Sequence, residues 1–466
     1  MPLPPEPRGS SLVQTLRWAL RPLPFMEDCR RRYGDSFSVR FLGFERPMVL
    51  ISDPVAIKAL YMERSHGLPP GRNIILEPIL GSGSLLIQEG AEHLSRRKLM
   101  LPAFHGERMR SYEAAMDEVV GAEIDSWPLE REFPIHSRMQ AVTLEVILRV
   151  VFGVSDGPRL ERLRGMLATV LTETASPRAQ LVGLATRRFG GRGPWARFEG
   201  KLREVDELLY AEIAEHRARP DLADREDILS MLMLAEFENG PGAERPSEIA
   251  GDDERDGAKR ESDRGMDDSE LRDQLMTLLL AGHETTATAL AWTFDLLLRH
   301  PAALGRLRDS LAAGEDDYLR ATISESLRLR PVIPLAGRRL AKELAVDGLT
   351  LPAGTDVTPA IWLTHTRADV YPEPFAFKPE RFLDGGPDTY GWVPFGGGIR
   401  RCIGASFAEF EMRIVLREVL TRCDLRKANP APEKTGRRNI TLSPKDGTPV
   451  IVSARRPARE PELATV

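Results

Sequence analysis

The chain has 466 residues, of which 64 are Lys or Arg and 69 are Asp or Glu, so its formal net charge is -5. A chain of this length can bury a substantial core, and its slightly acidic balance argues against a nucleic-acid partner, which would need a basic surface. Its three cysteines, Cys29, Cys402 and Cys423, form no CxxC pair. This excludes a zinc ribbon and a disulfide scaffold and fits a reducing compartment. Each cysteine is therefore either buried filler or a reactive thiol.

The N-terminal segment has no apolar run long enough for a membrane. Arg17 and Arg21 interrupt it well before the ~18 apolar residues that a span requires. We therefore expect a soluble, cytoplasmic protein without a signal peptide or membrane anchor. After this segment, alternating apolar residues at 37–41, a turn and an apolar run at 48–51 predict a β-hairpin, and Asp53-Pro54 predicts the start of a helix.

The middle of the chain, from about residue 90 to residue 330, has helical periodicity. Residues 239–268 carry charges of both signs and almost no apolar side chains, a composition that cannot repay the entropy of ordering. We interpret them as a mobile loop inside one domain that spans residues 1–466. Beyond residue 335, turn signals at Asp347-Gly348 and at 352–355 predict a small sheet. The predicted fold class is mainly α with a smaller β region.

A long apolar helix is predicted over residues 271–300, capped by Asp268 or Ser269 and ended by Pro301. The polar sequence AGHETT interrupts it at residues 281–286, and two interpretations are open. In one, the threonines bond to carbonyls of the preceding turn and Glu284 faces water or a basic partner. In the other, Thr285 opens the helix beside Ala281 and leaves a groove for a small oxidant such as dioxygen, to which the hydroxyl and the carboxylate supply protons.

Two further motifs place charges at defined spacings. Glu325 and Arg328 are one helical turn apart and can form an ion pair, which at a surface would contribute only a few tenths of a kcal/mol. Arg381, in the sequence KPERF at 378–382, could complete a triad with this pair.

The sequence FGGGIRRCIG at 395–404 sets a cysteine among glycines and arginines. It lacks the third glycine of a dinucleotide loop and the GK[ST] of a phosphate loop. A buried structural cysteine is one alternative. The other is a metal-ligating thiolate, because Gly396–Gly398 would let the main chain approach a large flat group, and the helix N-terminus with Arg400 and Arg401 favours the thiolate form.

Together these motifs resemble those of the cytochrome P450 family. The AGxETT, ExxR and PERF sequences match three marks of that family in its order and spacing, and the sequence EHLSRRKLMLPAF at 92–104 resembles a fourth. The residues that match the family's haem-binding signature are Phe395, Gly396, Gly398, Arg400, Cys402 and Gly404. His93 and Arg97 resemble its haem-propionate contacts, as does Arg338, for which Arg339 is a rival.

The resemblance implies the cytochrome P450 fold and a monooxygenase that inserts one atom of dioxygen into an apolar substrate. It implies haem b as cofactor with Cys402 as the iron's axial ligand, which favours O–O cleavage. Glu284 and Thr285 would then be catalytic, and Glu325, Arg328 and Arg381 structural. Electrons would come from a separate ferredoxin or flavodoxin with its reductase, because no such module is fused to the chain, and we expect a monomer.

The basic residues Arg96, Arg97, Lys98 and Arg401 could receive an acidic ferredoxin; charges that are merely solvated or bound to propionates are the alternative.

The resemblance leaves the substrate open. The residues predicted to line its pocket are Ile74–Leu86, Ala281, Val332–Ala336 and Ile440–Leu442, which are largely aliphatic and suit a fatty acid, terpenoid or steroid. A haem-thiolate ligand sensor and a peroxide-driven peroxygenase are the competing hypotheses. The intact Glu284-Thr285 pair favours the monooxygenase over both, because a sensor needs no proton relay and peroxygenases of this fold typically replace the pair.

Overall fold

The computed structural model describes residues 3–42, 44, 46–68, 72–106, 108–153, 157–175, 193–235, 266–438 and 440–457. Most of the predicted charged loop, residues 239–265, lies outside these ranges. By their internal contacts the residues group into two compact units. Unit 1 comprises residues 1–70, 113–146 and 282–466, and unit 2 comprises residues 71–112 and 147–281.

The described residues are mainly helical with a smaller strand region, as predicted. The α-helices are α1 (Ser11–Leu20), α2 (Pro22–Tyr33), α3 (Pro54–Met62), α4 (Arg72–Leu80), α5 (Gly90–Met100), α6 (Arg108–Ser111), α7 (Glu113–Asp125), α8 (Ile135–Phe152), α9 (Pro158–Ala175), α10 (Pro194–Arg217), α11 (Ile228–Leu234), α12 (Asp268–Arg299), α13 (Pro301–Ala312), α14 (Asp317–Leu329), α15 (Ile361–His365) and α16 (Ala405–Arg422). The strands are β1 (Ser36–Val39), β2 (Met48–Ile51), β3 (Glu132–Pro134), β4 (Arg338–Arg339), β5 (Leu344–Val346), β6 (Leu349–Leu351), β7 (Asp356–Pro359), β8 (Cys423–Lys427), β9 (Thr435–Arg438), β10 (Thr441–Pro444) and β11 (Pro449–Arg455). No helix among these combines the length and the apolarity needed to cross a membrane.

The largest sheet of unit 1 has the strand order β1-β2-β7-β4. The predicted hairpin forms its edge, with Ser36 opposite Ile51 and Val39 opposite Met48 in antiparallel register. Strand β2 pairs in parallel with β7, so the N-terminal hairpin and a strand from the last third of the chain share one sheet. The other sheets of unit 1 are β3-β11-β8, β5-β6 and β9-β10.

The ends of the helices follow from capping residues. The Asp53 carboxylate accepts a hydrogen bond from the Ala56 amide at 3.0 Å, and Pro54 occupies the first turn of α3, as predicted. Helix α12 was expected to be capped by Asp268 or Ser269, and this was wrong. Asp267 and Glu270 instead cap each other's amides at 2.9 and 3.0 Å, a reciprocal capping box.

In unit 2, the loop that follows α4 is bound to the first half of α12. Asp273 accepts a hydrogen bond from the Gly83 amide at 2.9 Å, Gln274 accepts one from the Leu85 amide at 3.1 Å, and Ser84 bonds to Thr277 at 2.7 Å. These bonds satisfy loop amides that would otherwise be buried without a partner.

Candidate active site

The cysteine loop of unit 1 precedes helix α16. The Cys402 amide donates to the Phe395 carbonyl at 2.9 Å, which closes the loop, and a short 3-10 turn covers residues 398–400. Gly396 and Gly398 have φ angles of 67° and 65°, in the left-handed region that glycine adopts without steric cost. The glycines of the motif are therefore needed for the path of the main chain.

Two glycines of the motif lie close to Tyr61. A Cβ added at Gly397 would overlap the Tyr61 ring, and one at Gly398 would overlap the Tyr61 carbonyl. These two glycines thus permit a close approach to helix α3. A Cβ at Gly404, in contrast, would meet no atom within 4 Å, so the backbone just before α16 is open on that side.

Cys402 differs from the other two cysteines in its accessibility. Its side chain is exposed, whereas Cys29 and Cys423 are buried. Burial raises the pKa of each buried thiol to about 11, so both remain protonated at neutral pH and are poor metal ligands. Among the three thiols, only Cys402 is placed to reach a ligand.

Arg338 lies against the cysteine loop. Its guanidinium donates to the Gly397 carbonyl at 3.2 Å and lies 5.2 Å from the centre of the Tyr61 ring, and burial lowers its pKa. The rival residue, Arg339, is bound to both carboxylate oxygens of Asp356 at 2.8 and 2.9 Å. Of the two arginines, Arg338 is therefore the better placed to contact a group held by this loop.

The predicted pair of Glu325 and Arg328 is a buried ion pair, with both side chains 0% exposed. The Arg328 Nε donates to Glu325 Oε2 at 2.6 Å, and Nη2 donates to Oε1 at 2.7 Å. The remaining N–H groups donate to the carbonyls of His365, Pro374 and Ala376. All five donors of the guanidinium are satisfied, which is the condition under which a buried arginine is tolerated.

Arg381 joins this pair as expected. Its Nε lies 3.5 Å from Glu325 Oε1, and its Nη2 donates to the Glu373 carbonyl at 2.8 Å. The Lys378 amide also donates to Glu325 at 2.9 Å. The pair thus ties α14 to the 3-10 turn at 379–382.

Glu284 is held by side chains of helix α8 and of hairpin β9-β10. Gln140 donates to its Oε2 at 2.6 Å, and Arg438 lies 3.8 Å from its Oε1. Burial raises the pKa of the Glu284 carboxyl, while Arg438 and Gln140 oppose that rise. His136 is also within 3.6 Å of Oε1. Sequence reasoning missed these partners, because they lie more than a hundred residues from Glu284 and belong to no recognisable motif.

Helix α12 is less buried at its polar segment than on either side. Residues 271–279 and 286–297 are buried throughout. Between them Gly282 and Thr285 are half-buried and Ala281 is exposed. The sequence AGHETT therefore marks an open face of a helix that is otherwise enclosed.

The predicted propionate contacts His93 and Arg97 lie one turn apart on α5, in unit 2. His93 is buried and Arg97 is half-buried. Their neighbour Arg96 is buried and forms an ion pair with Glu270, so the expectation that Arg96 receives a redox partner was wrong. Lys98 is exposed.

The residues of unit 1 fit a haem. An exposed thiol follows a glycine loop, a buried guanidinium lies against the same loop, and the backbone at Gly404 has no atom within 4 Å of an added Cβ. Thiolate sulfur is a ligand that haem iron accepts in proteins.

Comparison with known proteins agrees with this chemistry. A family model described as cytochrome P450 matches residues 4–449. The chain is 40% identical to cytochrome P450 135B1 of Mycobacterium tuberculosis over 100% of its own length and 94% of the relative's. It is 37% identical to cytochrome P450 137 of the same organism over 92% of this chain and 84% of the relative.

Solved structures show the same fold at low identity. A retinoic acid-bound cyanobacterial CYP120A1 has a TM-score of 0.78 and 23% identity, covering 97% of this chain and 100% of that one. The haem domain of cytochrome P450DA has a TM-score of 0.79 and 21% identity, covering 98% of each. The chain belongs to the cytochrome P450 family of haem monooxygenases.

Proposed function

We propose that the chain inserts one oxygen atom of dioxygen into an apolar substrate of the fatty acid, terpenoid or steroid class. Haem b, held by Cys402, supplies the activation of dioxygen when it is bound. The observations that carry the proposal are an exposed Cys402 thiol and a helix that is open at Thr285 and has a half-buried carboxyl, Glu284, next to it.

The proposed cofactor contacts are those of the residues that match the family's motifs. Cys402 would hold the haem iron through its thiolate, and the loop that carries it runs from Phe395 through Arg400 to Gly404. Arg338 is the proposed propionate contact of unit 1.

His93 and Arg97 are the proposed propionate contacts of unit 2. An arginine such as Arg97 can give a carboxylate a charge-assisted hydrogen bond.

Two residues of α12, Thr285 and Glu284, are proposed to transfer protons. The Thr285 hydroxyl donates a proton at the open face of the helix, and the Glu284 carboxyl replenishes it. A carboxyl whose pKa is raised by burial is suited to exchange protons nearer neutral pH than an exposed one. Neither residue is needed for the protein to fold or to bind its cofactor.

Aliphatic side chains favour an apolar substrate. Within unit 1, the predicted pocket residues Val332 and Leu442 are neighbours, since the Leu442 amide donates to the Val332 carbonyl at 2.8 Å. Electrons are proposed to come from a separate ferredoxin or flavodoxin with its reductase, and the chain to act as a monomer in a single domain.

The Thr285→Ala variant tests the assignment. It should bind haem and shift spin state with substrate like the parent, yet release peroxide instead of product, because proton delivery by a placed group is worth about 10²- to 10⁴-fold in rate. Product and peroxide formed per electron pair are measured with a surrogate ferredoxin and reductase. Equal coupling in parent and variant would refute the role given to Thr285.

Candidate substrates are found by screening apolar compounds for a change in the spin state of the haem. A sensor would show such shifts but no product in the reconstituted assay, and a peroxygenase would turn over with peroxide in the absence of a reductase.

A further inference from the structure

A series of hydrogen bonds through three side chains within unit 1 leads to the Glu284 carboxylate. The Arg438 Nη1 lies 3.3 Å from His136 Nδ1, and His136 Nε2 lies 3.2 Å from Thr288 Oγ1. The Thr288 hydroxyl in turn lies 3.4 Å from Glu284 Oε1. The three elements that meet here are helix α8, helix α12 and strand β9.

The Arg438 guanidinium fixes which group donates in each hydrogen bond of this series. A guanidinium can only donate, so His136 Nδ1 must accept. Burial, together with Arg438 and His283, lowers the pKa of His136 to about 3, so the ring is neutral and its single proton is on Nε2. That N–H donates to Thr288, whose hydroxyl then donates to Glu284.

The second oxygen of Glu284 is held from the other side. Gln140 donates to Oε2, so each carboxylate oxygen receives a donor from a different residue. Helix α8 supplies two of the contacts, because His136 and Gln140 are four residues apart and share one of its faces. His283, the remaining titratable neighbour, is bonded to Thr143 at 3.0 Å, and its pKa is lowered to about 4 by burial and by Arg438.

This series of hydrogen bonds cannot itself conduct protons. Arginine does not release its proton at accessible pH, and the neutral ring of His136 does not take one up near neutrality. The contacts can, however, fix the rotamer of Glu284 and stabilise its ionised form, since a nearby cation and donated hydrogen bonds both favour the charged state of a carboxylate.

We propose that Arg438, His136 and Thr288 are positioning residues that orient the Glu284 carboxyl for its exchange of protons with Thr285. This rests on the proton-delivery role proposed above for Glu284. Arg438 is the outermost member, with 34% of its side chain exposed against 4% for His136. It can therefore be changed without opening a cavity in the core.

The test is an infrared titration of the Glu284 carboxyl, whose C=O band is identified by its loss in Glu284→Gln. Arg438→Gln should raise the pH at which this band titrates by about one unit or more, because an opposite charge this close typically lowers a carboxyl pKa by 1–3 units. The matched control is Arg437→Gln, which removes the same charge from the adjacent position of β9. A band that titrates alike in parent and Arg438→Gln, or that shifts equally in Arg437→Gln, would overturn the proposal.

A second pair of variants separates positioning from packing. Thr288→Val keeps the shape of the side chain and removes the hydroxyl. It should therefore also raise the pH at which the Glu284 band titrates and lower the amount of product formed per electron pair. Thr288→Ser should restore both, and a Thr288→Val protein that behaves like the parent would contradict the proposal. If Glu284→Gln leaves coupling intact, the proposed role of Glu284 fails, whether or not the band shifts in the other variants.

Discussion

The buried pair of Glu325 and Arg328 allows a quantitative prediction of stability. Glu325→Ala removes both side-chain acceptors of Arg328 and leaves its charge in a site that is 0% exposed. Breaking one side of such a pair costs about 3–5 kcal/mol, a large fraction of the roughly 5–15 kcal/mol that a typical domain has. We expect little folded protein, or a free energy of unfolding lower by that amount.

The same helix offers a matched control. Asp317 and Arg320 form an ion pair on α14 with the same i,i+3 spacing, but their side chains are 77% and 55% exposed. Asp317→Ala should therefore cost at most about 1 kcal/mol. Urea unfolding of the holoproteins, together with the yield of folded protein, measures both variants. A Glu325→Ala protein as stable as Asp317→Ala would refute the reasoning.

Three further predictions concern the loop after α4, a buried histidine and the thiols. Gly81 has φ 83° and an added Cβ would overlap Asp273, so Gly81→Ala should lower the melting temperature by several degrees, whereas Gly305→Ala, with open space at a helical position, should not lower it. Burial lowers the pKa of His365 to about 3. Because the unfolded state then binds the extra proton, the stability that His365 contributes is present above pH 6.5 and is lost as the pH falls. His365→Gln should flatten that loss by about 1.4 kcal/mol per pH unit in urea unfolding, and an unchanged slope would contradict this. In haem-free protein iodoacetamide should label Cys402 before the two buried thiols, as mass spectrometry would show; equal labelling would mean that the burial is wrong.

Local signals in the sequence predicted much of the fold. The alternation at 37–41 and 48–51 predicted the first hairpin, and Asp53-Pro54 predicted the start of α3, because both depend on neighbouring residues. The N-cap of α12 was predicted at Asp268 or Ser269, but it is Asp267. Asp267 and Asp268 are equally good capping residues, and only the reciprocal hydrogen bonds with Glu270 distinguish them.

In the candidate site, contacts between residues distant in the sequence could not be predicted from local patterns. The spacing of Glu325 and Arg328 predicted their contact, but not that it is buried, which depends on carbonyls of residues 365–376. Tyr61 approaches the glycines at 397 and 398, a contact that no local pattern indicates. The partners of Glu284 come from helix α8 and strand β9, and tertiary packing alone brings them together.

The most direct test of the account is the ligation of haem by Cys402. The reduced carbonyl spectrum of the parent should show the red-shifted Soret band of thiolate-ligated haem. Cys29→Ala and Cys423→Ala, which remove buried thiols, should keep that band, and Cys402→Ala should lose it. A Cys402→Ala protein that retains the red-shifted band would contradict the assignment of Cys402 as the iron ligand and the mechanism built on it.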